Sequence, residues 1–494
     1  MTPPKATNLN RKMGLMGLAA TGICSMIGAS IHVVPFMIQR NVPGIGAYVL
    51  PAFLFAAMPA ALAAFAYIIL ASAMPRAGGS YVYASRSLHP YLGFVASFSQ
   101  WFGLSIAIGV VAYVIIPFLR DIANALQWTN LAITLDTGWV RVFLALFFLW
   151  TFVYINIQGV TLYEKTVIPL MILMFALGGI VIVAGLLYDH QDFAAALLEK
   201  EGRKIQPAGF EFSWRTFLSA SAILFSSFIG FDSIAQAGGE AIEPSKNLPR
   251  AIGISILSVS LFYILFTYSV YHTVPWSFVA EEALYKDVTA PGLLSYLLPS
   301  GWAVAIVLGA AIALTNDLPA MILAVSRLMF SWAEDGIFPK KVAAVHPKHH
   351  TPHIAIVLSG VMATIGILGS HFAGDFFLGI DIMVTSMLVN FLLMCVSVLA
   401  LPISNPMLAA EIKIFKSVLL QRMVAGLGTL TLLAFLAIHI TKDLTSPTTA
   451  WYFHSTPVWI IVMVISSVIF FIQWRALKKS GVDTKELFAQ LPPE

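Results

Sequence analysis

Apolar residues in this chain come in long unbroken runs separated by short polar stretches, the pattern of helices that cross a bilayer. A crossing takes about 20 mostly apolar residues. Runs of that length predict twelve spans, at about 14–38, 45–73, 92–119, 140–157, 167–188, 215–241, 250–274, 302–332, 354–372, 376–402, 423–441 and 457–474. The runs are continuous where a transmembrane β-barrel would alternate, so helices are expected. The first and sixth spans are interrupted, by Thr21-Gly22-Ile23-Cys24-Ser25-Met26-Ile27-Gly28-Ala29-Ser30-Ile31 and by Ser226-Ser227-Phe228-Ile229-Gly230-Phe231-Asp232-Ser233. Small, flexible or polar residues at matching places in two halves of a membrane protein point to a transporter's binding site.

Composition supports the same class. Hydrophobic residues make up 59% of the chain and charged residues 11%, against roughly 45–50% and about 25% in a soluble domain. An even number of spans puts both termini on one side. With Met1 inside, 19 of the 28 Lys and Arg fall in inner segments, so the termini are expected in the cytoplasm and the protein in the plasma (inner) membrane. The net charge of +4 then reflects topology and implies no nucleic-acid partner. Cys24 and Cys395 both fall inside spans, where neither a disulfide framework nor a metal site is expected. The polar first 13 residues lead into a run without a cleavage site, which reads as an uncleaved span and not a signal peptide. His346, His349, His350 and His353 crowd one loop without zinc-site spacing and read as solvated, while Trp276, Trp302 and Trp451 read as interfacial anchors.

Spans one to five and six to ten can be superposed in order, and each set opens with a broken helix. An odd number of spans per set makes the repeat inverted in topology. The expected organisation is a cytoplasmic N-terminus (1–13), a first repeat (14–188), an outer loop (189–213), a second repeat (214–402), two extra helices (403–475) and a cytoplasmic C-terminus (476–494).

Three blocks at inner span ends mix Gly or Pro with charge: Met74-Pro75-Arg76-Ala77-Gly78-Gly79-Ser80-Tyr81, Gly239-Glu240 through Pro249-Arg250, and Ser326-Arg327 through Ala333-Glu334-Asp335-Gly336-Ile337-Phe338-Pro339. Turn chemistry explains any one of them. Together with Ser25-Met26-Ile27-Gly28-Ala29-Ser30-Ile31 and Gly230-Phe231-Asp232, they resemble the motifs of the amino acid–polyamine–organocation superfamily of secondary transporters, in the same order and on the same side. The resemblance covers spans one to ten. It implies an all-α integral membrane protein of twelve helices, with a 5+5 inverted repeat, discontinuous helices 1 and 6 and two extra helices. Departures are Ser30 where the family has glycine, His32 where an aromatic is common, and an insertion around Ser245. Some members carry a lysine within the fifth span in place of a bound cation, but Thr166 to Leu187 contains none and Lys165 is expected at its edge.

Unwinding a helix in hydrocarbon exposes peptide groups that cost several kcal/mol each unless paired. The second half of span one begins near Met26 to Ser30 with free N–H groups and a positive dipole end, suited to a carboxylate. The first half of span six ends near Phe228 to Gly230 with free C=O groups, suited to an ammonium. Together these ends describe an α-amino acid. Gly28 would admit the ligand to the backbone, and Gly22 and Gly230 would permit the unusual dihedrals. The substrate-binding set is therefore Ser25, Met26, Ile27, Gly28, Ala29, Ser30, Phe228, Ile229, Gly230, Phe231 and Asp232, with Ser25, Ala29 and Ile229 implied by the resemblance. Phe228 and Phe231 would shape the pocket or simply pack.

Ionisable residues inside a membrane are functional suspects. These are Asp232, Asp317 and Asp381, with His32 and His272 as weaker candidates. Asp232 would cap the second half of span six or touch substrate. The resemblance implies that helix eight can help bind sodium together with the break of span one, so Asp317 with Thr315 would hold Na⁺ or carry a proton, or Asp317 would pair with a polar neighbour; Asp381 would lie near water. The expected function is alternating-access transport of amino acids, driven by an H⁺ or Na⁺ gradient or by exchange. No cofactor is expected, and no nucleotide-binding motif implies ATP use. A polyamine or organic-cation carrier of the same fold is the first alternative, and a receptor or channel the second. An enzyme is disfavoured, because no metal cluster or nucleophile–base pair lies in the spans.

Overall fold

The computed structural model describes residues 9–206, 209, 211–373, 376–446 and 450–492. Among the described residues, twelve helices are long and apolar enough to cross a membrane. We number them α1 (Leu15–Asn41), α2 (Val49–Ala73), α3 (Pro90–Ala125), α4 (Gly138–Gln158), α5 (Val160–Leu187), α6 (Trp214–Gln236), α7 (Pro244–Thr273), α8 (Ser300–Glu334), α9 (His353–Ala373), α10 (Phe376–Ser404), α11 (Val418–Leu444) and α12 (Ser455–Lys479). Apolar side chains such as Phe143, Leu187, Leu257, Leu430 and Ile472 point outward from the bundle. In water they would be a liability; facing lipid they are the expected surface.

Span boundaries follow local chemistry. Gly159, at φ 106°, both ends α4 and opens α5, a conformation that favours glycine. The fifth span therefore starts seven residues earlier than its apolar run, and Lys165 lies inside the helix, not at its edge. The segment after α5 carries a helix of its own, His190–Glu201, opened by a capping box between Asp189 and Asp192.

Both interruptions are present. Span one divides into α1a (Leu15–Met26) and α1b (Ala29–Asn41). Span six divides into α6a (Trp214–Leu224), a 3₁₀ turn at Phe225–Phe228, and a short α6b (Ser233–Gln236). Gly230 has φ 138°, which favours glycine as expected. Gly22 does not serve the break: it is an interior residue of α1a, and its missing Cβ makes room for Ile234 and Ser255.

The three Gly/Pro-and-charge blocks meet on the face that carries the described N- and C-terminal segments. Arg327 of α8 donates two hydrogen bonds to Glu240, at 3.0 and 2.7 Å, with both side chains at most 1% exposed. Arg86, just before α3, pairs with Asp335 at the end of α8, and the Tyr81 hydroxyl donates to the same carboxylate at 2.7 Å. Ser331 donates to the Ala77 carbonyl at 2.8 Å, and Met13 exchanges backbone hydrogen bonds with Glu240 and Ile242. The C-terminal segment lies over this network: the Gln490 carbonyl accepts from Arg86 and the Pro492 carbonyl from Arg76, each at 3.1 Å.

Removing one member of a buried ion pair leaves an unpaired charge, which costs about 3–5 kcal/mol, whereas replacing both with apolar residues is often neutral. Glu240→Ala is therefore expected to lower stability by about that amount, read as thermal unfolding of the detergent-solubilised protein. Glu240→Leu with Arg327→Met should regain most of the loss, and a double variant as unstable as the single one would count against the pairing as its cause.

Candidate functional site

The two breaks touch. A Cβ on Gly230 would strike the Ser25 carbonyl, and the Ser25 and Ser233 hydroxyls share a 3.0 Å hydrogen bond across the contact. Around the first break the Ile27 amide donates to the Ile23 carbonyl at 2.9 Å and the Gly28 amide to the Met26 carbonyl at 3.1 Å. The Tyr263 hydroxyl of α7 also donates to the Met26 carbonyl. α1b then starts with Gly28 as its cap and no capping side chain, so its first N–H groups have no acceptor within the helix and carry the positive dipole end. Around the second break the Ile229 amide reaches the Ser226 carbonyl at 3.2 Å and Ser233 reaches Gly230 at 3.0 Å. α6a ends here, with the negative end of its dipole at the break.

A cavity opens beside this contact. Its lining comes from five spans: Ser25, Met26 and Val34 of α1; Ala107, Val110 and Val111 of α3; Ser226 and Ile229 of α6; Asp317 and Met321 of α8; Ile380 and Met383 of α10. Most of the wall is apolar. Its polar points are Ser25, Ser226 and Asp317, and the Ser226 hydroxyl and Asp317 Oδ1 have no hydrogen-bond partner among the described residues. Gly28 lies against Asp317, whose carboxylate a Cβ at Gly28 would strike.

Of the residues singled out in the sequence, Ser25, Met26, Ile229 and Asp317 line the cavity and Gly28 and Gly230 shape its polar end. Ile27 is fully buried in the core. The side chains of Ala29 and Ser30 lie outside the described residues. Phe228 packs on Phe53 and Tyr263, with ring centroids 5.1 and 5.8 Å away, and Phe231 stacks on Phe391 at 5.0 Å; both belong to packing and not to the cavity wall.

Asp232 differs from the expectation of a cap. It makes no capping bond to α6b. Its Oδ1 accepts the Gly230 amide at 3.1 Å and its Oδ2 accepts from Gln100 of α3. Gln100 in turn accepts from Ser80, and Gln236 donates to Ser80 at 2.8 Å. Asp232 thus holds the break open from within and connects it to the Ser80 block on the terminal face. Thr315 donates to the Ala311 carbonyl of its own helix at 2.7 Å and is not part of the cavity lining that Asp317 joins, as residues two apart on a helix face different ways. Asn316 donates to Cys24 Sγ at 2.9 Å and to the Val167 carbonyl at 3.2 Å, tying α8 to α1a and α5.

The other ionisable candidates stand apart from the cavity lining. Asp381 pairs with Lys442 at 3.4 Å. His32 packs edge-on against Phe266, and His272 lies 3.1 Å from the Gly185 and Tyr188 carbonyls at the end of α7. The residues not found from sequence are mostly the apolar wall. Ala107, Val110 and Val111 share one helix face by their spacing, but nothing in a uniformly apolar span marks that face as the one turned to a cavity.

The amino acid permease family model matches residues 13–480. The chain belongs to the amino acid permease family. It is 26% identical over 374 residues to a branched-chain amino acid permease of Bacillus subtilis (strain 168), covering 74% of this chain and 75% of that one. It is 25% identical to a low-affinity putrescine importer of Escherichia coli (strain K12), covering 76% and 75%, and 26% identical to cationic amino acid transporter 4 of Mus musculus, covering 73% and 56%. The permease is therefore a multi-pass membrane transporter for small molecules and not an enzyme.

Gly230→Ala is expected to destabilise the permease and abolish substrate binding, because it adds both a positive-φ penalty and a collision with the Ser25 carbonyl. Gly253→Ala on α7, whose nearest neighbour to the new Cβ is 3.9 Å away, should be neutral or gain up to about 1 kcal/mol from helix propensity. Equal melting temperatures for the two variants would contradict this.

Proposed function

We propose that this permease moves amino acids across the plasma membrane by alternating access, powered by an H⁺ or Na⁺ gradient or by exchange. The observation that carries the reading is the contact of two opened helices with dipole ends of opposite sign beside a mostly apolar cavity. The free amides of α1b suit a carboxylate, the end of α6a suits an ammonium, and Val110, Val111, Ile229, Ile380 and Met321 suit an apolar side chain. The relative named as a branched-chain amino acid permease supports such cargo. In this reading both termini are cytoplasmic, spans one to five and six to ten form an inverted repeat, and the ion-paired terminal face is the closed inner gate.

A second cargo, a diamine or a cationic amino acid, is favoured by one observation: Asp317 places a carboxylate in the cavity wall. The relatives named for putrescine and for cationic amino acids are consistent with it.

Uptake into proteoliposomes separates the two. Radiolabelled leucine, arginine and putrescine, offered with pH and sodium gradients imposed separately, should give saturable uptake of leucine above the others. A preference for putrescine would favour the second cargo, and no saturable uptake of any would refute the transport reading for these cargo classes. Gly28→Leu should insert into the membrane normally yet bind no cargo, because its side chain fills the space between α1b and Asp317; normal transport by this variant would move the site elsewhere.

A further inference from the structure

Asp317 lies where the cargo carboxylate is proposed to dock, and this inference rests on that reading of the cavity. The residue is mid-span on α8, 6% exposed, and lines the cavity. Its Oδ1 has no hydrogen-bond partner among the described residues, and none of the ion pairs found there includes it. Gly28, which it abuts, is the residue from which α1b starts. A zwitterion that puts its carboxylate on the α1b amides therefore brings that group beside a second carboxyl group in a low-dielectric site. Two carboxylates so placed do not both stay ionised; one holds a proton.

Among the described residues, no other ionisable group is placed to resolve the conflict. On α1a the neighbour is the Cys24 thiol, which already accepts from Asn316. On α1b, His32 is turned to Phe266 of α7. On α5, Tyr163 donates to Thr21 and Glu164 lies against Gly17. On α6, Asp232 is held by Gly230 and Gln100. On α3 and α4, Arg120 pairs with Asp121 and Asp136, and Arg141 lies over Tyr113. On α9 and α10, His371 meets Tyr113 and Asp381 meets Lys442. The charges near the inner end of α8 are matched as Arg327 with Glu240 and Arg86 with Asp335. Beside Asp317, the Thr315 hydroxyl donates to its own helix and the Asn316 amide nitrogen to Cys24 and Val167, while Asn316 Oδ1 has no partner among the described residues; leucine binding that follows sodium and takes up no proton would assign these oxygens to a cation instead.

We propose that Asp317 is the proton-coupling residue: it takes a proton from the outer aqueous side as the cargo carboxylate docks on α1b, and releases it to the inner side after the cargo leaves. One proton then travels with each amino acid. By linkage, a proton on Asp317 tightens cargo binding by the same factor by which bound cargo tightens proton binding. A cargo without a carboxylate would instead pair with ionised Asp317 and carry no proton.

The test uses the full-length protein with radiolabelled L-leucine as probe. Wild type should accumulate leucine under an inward pH gradient, and its leucine affinity should fall by about tenfold or more as pH rises through the titration of Asp317. Leucine added to the solubilised protein in weak buffer should take up one proton per molecule bound, read with a pH dye. Asp317→Asn, permanently neutral, should bind leucine with an affinity that no longer varies with pH and lose both proton uptake and gradient-driven accumulation. Accumulation by this variant equal to wild type would overturn the proposal. So would leucine binding by wild type with no proton taken up, a measurement that stands even where Asp317→Asn does not fold. Saturable leucine uptake without proton movement removes only the role of Asp317; no saturable uptake by wild type removes the leucine reading of the cavity and the proton proposal with it.

Discussion

A peptide group released from a helix inside a bilayer can bond only to other protein groups, a trapped water or a ligand. The two breaks in this permease are organised around that constraint. At the first, the Met26 carbonyl takes the Gly28 amide and the Tyr263 hydroxyl; at the second, the Gly230 amide goes to Asp232. The start of α1b has no capping side chain, and the Ser226 hydroxyl beside the cavity has no partner among the described residues. An interrupted helix is thus tolerated where its neighbours satisfy most of the exposed backbone, and the remainder is available for recognition.

The same groups connect the cavity to the terminal face. Asp232 steadies the second break and is held by Gln100; Gln100 and Gln236 share Ser80, which lies in the same short helix, Gly79–Ser87, as Tyr81 and Arg86. On the same face, Arg86 pairs with Asp335 and Arg327 with Glu240, both pairs fully buried. Such pairs are strongly favoured when complete and costly when half broken. Backbone carbonyls of the C-terminal segment add further acceptors for Arg76 and Arg86.

Twelve crossings, the two interruptions and the positive-φ role of Gly230 were all legible in the chain, because run length, composition and glycine placement are local properties. The motif blocks were legible as a set, but their physical role was not: Glu240 and Arg327 are 87 residues apart, and Arg86 and Asp335 are 249 apart. Gly22 was misread because a glycine before a break and a glycine that lets a neighbouring helix approach look the same in one dimension. Thr315 and Asp317 were grouped as a cation or proton site because the resemblance implied a sodium-binding helix eight, although two residues apart on a helix point to different sides.

Hydropathy and the placement of small residues by themselves determined that this chain is a bundle of membrane helices opened at two places, since bilayer thickness and backbone sterics act on each segment independently. Only the tertiary structure decided which side chains meet: that Phe228 and Phe231 pack away from the cavity, that Asp232 serves the break from which it comes, and that Asp317 faces the start of α1b. Those outcomes depend on the rotation of each helix about its own axis. In spans apolar on every side that rotation is set by packing against neighbours distant in sequence, which no local pattern encodes.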